Sequence, residues 1–513
     1  MLRRTAAAIL LASAAYLAVL ACAYIAGGWN IARHHVETAA YLFAAVALTV
    51  AVARSPRRPT ESTSQQRLLL TAAVVAGAIA ASVLLYANTL RLGFFSDDFV
   101  LAGNALAGRW MAGEFVRPFP SIVRAMVLRS TASDVALHAL SIALHGVNTA
   151  LVGFVAGRLG LPRAVAVAAA LLFLVFPSSV ETVAWPAALQ DLILASCTLL
   201  FVLLAAGPTS VARVLLAIVV LVVGLLSKEA AVVIPMLAAV MWLDSSKLRN
   251  RTTWPILVAG VVVCVCYAAI RLTTREVSSD YAQRPTRYLA KELIARPIGT
   301  LSLPWTTPEL TMDPFPIGAA TVALVAVFAV YAWRADKLVP PSTIARCLVA
   351  AIAAGLPAYS LLFIADHLEN SRYIYSSTAF WAIALAGCAG TMLRSQTWVP
   401  ILATTAACAL GVAGVQWHIA AWRTAADVRD RVLVAAETAM SGARCQTVSL
   451  AGAPDTVDGA YIFRNGLAEA VSRRTGWLPS LVGEGCTYVW TGSTFEKATS
   501  AHDAVQATLT RGF

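Results

Sequence analysis

Long apolar stretches recur along this chain, and they constrain its fold more than any other feature. Hydrophobic windows predict about thirteen of them. They lie near 7–28, 38–53, 68–90, 135–157, 164–182, 191–206, 211–226, 230–243, 254–270, 316–333, 345–364, 373–391 and 398–419. Because lipid cannot satisfy backbone polar groups, each stretch must cross the bilayer as a helix. The sequence therefore predicts an all-α, polytopic membrane protein with about 13 transmembrane helices.

The composition agrees with this fold class. Hydrophobic residues make up 59% of the chain and charged residues 13%, with a mean hydropathy of +0.72. The net charge of +12 is concentrated in arginine and lysine at the ends of the apolar stretches, where such residues set the orientation of a membrane protein. No nucleic-acid partner is expected. The first stretch follows Arg3 and Arg4 without a convincing cleavage site, which predicts an anchor.

Charge in the short connections predicts the orientation. "RSPRRPTESTSQQR", "RLGLPR", "GPTSVAR" and "DSSKLRNR" carry Arg or Lys, whereas "FPSSVETVAWPAALQ" and "DHLENS" carry neither. By the positive-inside rule the N-terminus and the basic connections lie inside. The connections without Arg or Lys, the longer loops 91–134 and 271–315 and the C-terminal tail then lie outside. The second loop also contains "RPTRYLAKELIARPIG", which predicts an amphipathic helix on the membrane surface.

Three regions follow from these patterns. Residues 1–67 hold N-terminal transmembrane helices and a basic cytoplasmic loop, 68–419 form the main transmembrane module, and 420–513 form a small extracytoplasmic α/β domain with strands in "CQTVSLAG" and "CTYVWTGS". Cys445 and Cys486 are the cysteines of this tail and would suit one disulfide, with two free thiols as the alternative.

Polar residues gather at the predicted outer boundary of the apolar stretches. Asp97 and Asp98 stand in "GFFSDDF", where a carboxylate is costly unless it faces a cavity, a helix cap being the other interpretation. Adjacent residues point in different directions, so the two need not share one task. The other candidates in external segments are Arg117, Glu181, Asp191, Lys228, Glu229, Glu369, Arg372, Tyr373 and Tyr375. His138, His145 and Asn148 lie in one apolar stretch, where interhelical hydrogen bonding is the favoured role.

Together these groups suit transfer of a sugar from a lipid-linked phosphate. A carboxylate would remove the proton of the attacking hydroxyl, and Arg or Lys would stabilise the departing phosphate. The sequence contains neither a P-loop nor a dinucleotide-binding glycine motif in a βαβ setting.

The order of the motifs "SDDF", "RPF", "LHGVNTALV", "ETVAW", "LLSKE" and "SRYIY" resembles the membrane part of the C-type glycosyltransferase superfamily. The resemblance covers roughly residues 68–392 and is greatest to transmembrane O-mannosyltransferases that carry tetratricopeptide repeats, and to their bacterial relatives. The chain departs from the family at Phe176, Ser179, Ala188 and Leu189, and it lacks the tetratricopeptide repeats.

The resemblance implies roles for individual residues. Asp97 or Asp98 would be the catalytic base or the acid that binds the acceptor. Arg117, Lys228 and Arg372 would lie near the donor phosphate. The residues expected to shape the site are Glu181, Asp191, Glu229, His145 and Tyr373.

The resemblance also implies the reaction and its setting. The partners would be a polyprenyl-phosphate-linked sugar, mannose being one candidate, an extracytoplasmic acceptor (glycan, lipid or protein) and membrane lipids. The reaction would invert the anomeric carbon at the outer face of a bacterial cytoplasmic membrane. No cofactor is required in principle, although Asp97, Asp98 and Glu181 could assemble a divalent-cation site. Two alternatives stay open: a polymerase or ligase that uses diphosphate-linked glycans, and a non-enzymatic lipid or glycan transporter.

Overall fold

The structure is a computed structural model that describes residues 64–110, 117–242, 252–274, 339–357, 367–391, 399–442, 448–476 and 486–498. Several predictions fall outside these residues. They are the apolar stretches 7–28, 38–53 and 316–333, the amphipathic helix in "RPTRYLAKELIARPIG" with most of the loop 271–315, and Cys445.

The described chain is mostly helical, as the apolar stretches predict. In chain order the first helices are α1 (Ser64–Tyr86), α2 (Asp97–Leu106), α3 (Pro118–Thr131), α4 (Asp134–Arg158), α5 (Arg163–Leu174), α6 (Val180–Ala184) and α7 (Leu189–Ala205). They are followed by α8 (Val211–Leu225), α9 (Ile234–Met241), α10 (Trp254–Thr274), α11 (Pro341–Gly355), α12 (Tyr375–Thr391) and α13 (Val399–Gly442). Short 3-10 turns occupy Ala87–Arg91, Pro177–Ser179, Pro186–Ala188, Glu229–Val233 and Ser371–Ile374.

Within the described residues, four helical segments are long and apolar enough to cross a membrane: Leu68–Arg91, Asp134–Arg158, Pro186–Ala205 and Trp254–Arg271. A fifth arises if α5 and the segment Pro177–Ala184, which are bent by 53° at a short break, form one broken span. α8, α11 and Glu229–Trp242 are apolar but shorter. Several membrane-spanning helices agree with a multi-pass protein, while the total of about thirteen stays a prediction.

Close helix packing depends on small residues. α4 packs against α1, α5 and α7, and α12 packs against α5 and α11. Gly146 of α4 touches the backbone of α1: a Cβ atom at this position would lie 2.5 Å from the Cα atom of Ile79. Gly411 of α13 is similarly close to the carbonyl oxygen of Val175. These glycines let helix backbones approach without side chains between them.

The C-terminal part begins on an unbroken helix. α13 has 44 residues and passes position 420, where the sequence places the start of the tail domain, without a break. After it come β1 (Val448–Ala451), β2 (Thr456–Val457), β3 (Ala460–Tyr461), α14 (Leu467–Thr475), β4 (Cys486–Trp490) and β5 (Phe495–Lys497). β4 pairs in parallel with β1 and antiparallel with β5, while β2 and β3 form a two-stranded sheet. Cys486 is disulfide-bonded.

Candidate active site

The polar residues that the sequence singles out converge at one end of the helix bundle. Asp97 and Asp98 begin α2, Asp191 lies in the first turn of α7, and Arg372 and Tyr373 lie just before α12. Glu181 begins the short α6, and Lys228 and Glu229 follow α8. All of these residues therefore lie where a helix begins or ends.

The two aspartates have different surroundings. The side chain of Asp98 is buried, its residue being 1% exposed, and its Oδ2 atom accepts a hydrogen bond of 3.0 Å from the backbone N–H of Phe95. Its Oδ1 atom has no hydrogen-bond partner among the described residues. Asp97 is half-buried and accepts a bond of 2.7 Å from the side-chain amide of Asn465. Of the two aspartates, only Asp97 therefore has a partly exposed side chain.

Burial also separates the two acids chemically. Removal from water raises the pKa of Asp98 from 3.8 to about 8, against the opposing effects of the Phe95 N–H group and the Arg124 guanidinium. Arg124, on α3, is itself buried and donates a bond of 3.3 Å to the carbonyl oxygen of Pro186, and burial lowers its pKa. Asp98 consequently holds a proton at neutral pH for most of the time.

Glu181 and Arg372 form a buried ion pair. The guanidinium of Arg372 donates to Oε1 of Glu181, and the backbone N–H of Arg372 donates to Oε2 over 3.1 Å. The hydroxyl of Ser371 adds a bond of 3.2 Å to the same Oε2 atom. The acid is thus held by three donors from the turn that precedes α12.

A second buried pair joins Lys228 to Asp191. The Nζ atom of Lys228 donates to Oδ1 of Asp191, whose Oδ2 atom has no partner among the described residues. Tyr373 connects the two pairs: the Lys228 Nζ atom lies 4.8 Å from the centroid of its ring, and the Arg372 guanidinium carbon lies 4.6 Å from it. Both cations are therefore in cation–π range of one aromatic ring.

Glu229 binds two arginines. Arg117 donates two bonds to its Oε2 atom, of 3.2 and 2.8 Å, and Arg271 at the end of α10 donates one of 3.5 Å to its Oε1 atom. These side chains are 20 to 30% exposed. Two guanidinium groups thus meet at one partly exposed carboxylate, and guanidinium groups are suited to binding an anionic ligand.

Aromatic rings line the contact between the Arg372–Glu181 ion pair and the tail, and the Arg372 guanidinium carbon lies 5.4 Å from the ring centroid of Tyr461. The Trp185 ring lies 4.7 Å from the Tyr461 ring and 4.9 Å from the Arg372 guanidinium carbon, measured to ring centroids. Its indole N–H donates a bond of 3.2 Å to the carbonyl oxygen of Phe95. Trp185 therefore links Arg372 to the segment that leads into the aspartates.

His145 lies deeper in the bundle and takes no part in these ion pairs. Its Nδ1 atom is 2.7 Å from the Tyr375 hydroxyl and its Nε2 atom is 3.1 Å from the Leu174 carbonyl oxygen. Asn148 bonds the same hydroxyl over 3.3 Å. His145 thus joins α4, α5 and α12, which is the interhelical role favoured by the sequence.

Among the described residues, no group of three or more His, Cys, Asp or Glu side chains is arranged to hold a metal ion. Asp97, Asp98 and Glu181 in particular are not gathered into such a group. Each of them has the other contacts given above.

Sequence reasoning did not single out several residues that the structure brings to this end. Arg124 and Arg271 are two of many arginines in the long segments predicted to be external, and nothing in their spacing distinguishes them. Trp185 is part of the motif "ETVAW", but the motif alone does not indicate a role for it. Tyr461 and Asn465 are distant in sequence from all other site residues, so only tertiary contacts reveal them.

Comparisons with known proteins add little. No family model and no curated protein matches the chain. Among solved structures the chain is similar to ArnT from Cupriavidus metallidurans bound to undecaprenyl phosphate, with 14% identity, a TM-score of 0.40, and coverage of 82% of this chain and 87% of that one. A likeness this distant carries no information about the ligand or activity of the present chain.

Proposed function

We propose that this chain is a membrane glycosyltransferase that transfers a sugar from a polyprenyl-phosphate donor to an extracytoplasmic acceptor. The observation that carries the proposal is that a partly exposed carboxylate, Asp97, and two partly exposed arginines, Arg117 and Arg271, lie at the same end of an apolar bundle. The order of the sequence motifs, which resembles C-type glycosyltransferases, gives independent support.

The reaction needs one base and one anion-stabilising group. An acceptor hydroxyl attacks the anomeric carbon, and its proton passes to the carboxylate of Asp97. The bond between the anomeric carbon and the phosphate oxygen breaks, and the polyprenyl phosphate leaves with the electron pair. Attack opposite to the leaving group inverts the anomeric carbon.

Asp97 suits the base better than Asp98. Asp98 is buried and holds a proton at neutral pH for most of the time, so it cannot readily accept another. Its carboxyl accepts the Phe95 N–H bond and lies near Arg124, which fixes the first turn of α2. Asp98 is therefore a positioning residue in this proposal.

The cations bind and stabilise the donor phosphate. Arg117 and Arg271 meet it first, because their side chains are partly exposed and share one carboxylate. Lys228 and Arg372 lie deeper, each paired with an acid, and shape the pocket through the ring of Tyr373. The guanidinium group suits phosphate because it offers several donors in one plane.

The apolar helices supply the setting. The polyprenyl chain would enter laterally between helices, while the acceptor approaches from the extracytoplasmic side of a bacterial inner membrane. The proposed orientation places the N-terminus inside and the tail outside, as the charged connections predict. Mannose is the first sugar to try, on the strength of the sequence resemblance alone.

Transfer assays with purified protein in liposomes test the proposal. Radiolabelled polyprenyl-phosphate sugars, with a diphosphate-linked glycan as a separate arm, are incubated with membrane extract as acceptor, with and without chelator. We expect transfer from one monophosphate donor, loss of transfer in Asp97→Asn with donor binding retained, and full activity in Glu496→Gln, an exposed change on β5.

Other outcomes would overturn it. Transfer from the diphosphate-linked donor alone would indicate a polymerase or ligase. Movement of lipid from one leaflet of the liposome bilayer to the other, without any sugar transfer, would indicate a transporter. Full activity of Asp97→Asn would remove Asp97 from the mechanism.

A further inference from the structure

The tail contains a segment that packs against the N-terminal end of α2. This segment, Tyr461–Gly466, starts at the last residue of β3, and its first two residues are buried. The Phe463 ring stacks on Phe99 of α2, with centroids 6.4 Å apart and planes inclined by 25°. The segment and the first turn of α2 are therefore packed together, although more than 360 residues separate them in sequence.

Ser96 is the main point of contact. Its backbone N–H donates a bond of 2.8 Å to the carbonyl oxygen of Ile462, and its hydroxyl accepts a bond of 3.1 Å from the backbone N–H of Asn465. Its backbone has φ 43° and ψ −116°, a conformation that a residue with a side chain rarely adopts. Strain of this kind persists only where surrounding contacts hold it.

Gly466 makes the approach close. It has φ +81°, and a Cβ atom at this position would lie 2.4 Å from the carbonyl oxygen of Ser96. Any other residue would therefore push the segment away from Ser96. Gly476, at the end of α14, has a nearly equal φ of +75° but open space around it.

We infer that Asn465 is a positioning residue for transfer, acting through Asp97. Its side-chain amide donates to Oδ1 of Asp97 over 2.7 Å, which orients the carboxylate and leaves Oδ2 for the proton of the acceptor hydroxyl. The tail thereby supplies a residue to the site that contains Asp97 of α2. This inference rests on the proposed function, with Asp97 as the base.

Two side-chain variants test the role of Asn465. Each keeps the backbone N–H that binds Ser96, so only the contact with Asp97 changes. Asn465→Ala removes the donor, and we expect kcat to fall about tenfold with the donor KM unchanged, as for loss of one hydrogen bond to a charged group. Asn465→Asp is isosteric but places a second carboxylate against Asp97, and we expect a larger fall in kcat than in Asn465→Ala.

A glycine pair tests the docking itself. Gly466→Ala and Gly476→Ala impose the same left-handed strain on the same part of the chain, but only the first meets Ser96. Amide hydrogen exchange read by mass spectrometry should show faster exchange at Ser96 in Gly466→Ala alone, and kcat should fall in that variant alone. The exchange measurement needs no substrate, so it tests the docking even if no donor is found.

The outcomes separate this inference from the proposed function. No transfer by the wild type refutes the proposed function, and with it the role of Asn465 in transfer. Transfer by the wild type with kcat unchanged in both Asn465 variants refutes the inference alone. A rise in kcat in Asn465→Ala also refutes it, because the contact would then inhibit the enzyme. A rise in donor KM at constant kcat would assign Asn465 to donor binding instead.

Discussion

The indole N–H of Trp185 donates a hydrogen bond to the carbonyl oxygen of Phe95, three residues before Asp98. The same indole ring lies against the guanidinium of Arg372, which is paired with Glu181. A single side chain thus joins the segment that carries the aspartates to one of the buried ion pairs. A change in the position of either element therefore alters the contacts of the other.

The pKa of Asp98 predicts a dependence of stability on pH. Because burial raises this pKa from 3.8 to about 8, the folded protein holds a proton that the unfolded chain loses above about pH 4. The stabilisation from that proton is complete below about pH 4 and is lost as the pH rises through about 8. Asp98→Asn keeps an oxygen for the Phe95 N–H and never ionises.

The melting temperature in detergent, measured from pH 4 to pH 9, checks this. We expect the difference between Asp98→Asn and the wild type to grow in favour of the variant as the pH rises from about 4 to about 8. A difference that stays constant over this range would contradict the protonated state of Asp98.

The buried pair of Lys228 and Asp191 predicts a specific pattern in a double-mutant cycle. Lys228→Met leaves Asp191 buried, with one oxygen already unpartnered, and should lower the free energy of unfolding by about 3 to 5 kcal/mol. The double variant Lys228→Met with Asp191→Leu removes both charges and should recover most of that loss. Thermal unfolding of Lys228→Met, Asp191→Leu and the double variant measures the coupling, and additive losses would mean that the two charges do not stabilise each other.

The close contact of Gly146 with α1 predicts a steric effect on the bundle. Gly146→Ala places a Cβ atom 2.5 Å from the Cα atom of Ile79 and should lower the free energy of unfolding by roughly 1 to 3 kcal/mol. Gly157→Ala lies on the same helix with nothing within 4 Å, so it should be neutral or slightly stabilising. Unfolding in detergent compares the two, and equal effects would show that α1 and α4 are not in such close contact.

Arg117 should affect donor binding more than the chemical step. Arg117→Gln removes two hydrogen bonds to Glu229 and one positive charge beside that carboxylate. We expect the donor KM to rise by about tenfold and kcat to change less, in the range typical of a lost charged contact. Arg158→Gln changes an arginine at the C-terminal end of α4. It is the matched control and should leave kcat and the donor KM unchanged. A fall in kcat at constant KM would place Arg117 at the transition state rather than in binding.

The sequence predicts the helical fold because apolar length and the absence of charge determine a membrane helix locally. It also predicts that Asp97, Lys228 and Arg372 share one end, because successive helices alternate in direction and these residues lie in alternate connections. The different surroundings of Asp97 and Asp98 follow from their adjacency on a helix.

Tertiary contacts explain what the sequence does not show. The pairing of each cation with a particular acid depends on how helices pack, and no local pattern encodes it. The contact between Asn465 and Asp97 joins distant parts of the chain, and the strained conformation of Ser96 has no sequence pattern. The sequence also does not show that α13 continues past residue 420. A drop in hydropathy indicates where a helix leaves the lipid, not where the helix ends.

The length of α13 has a consequence for how this chain can vary. At 1.5 Å per residue its 44 residues span about 66 Å, roughly twice the hydrocarbon thickness of a bilayer. Gln416 of this helix binds the carbonyl oxygen of Leu85, and Arg429 binds those of Leu92 and Phe94. One residue inserted between these two contacts would turn everything beyond it by about 100° and raise it by about 1.5 Å. The number of residues between these two contacts therefore determines how the tail is placed. We expect this number to vary much less than the length of any surface loop.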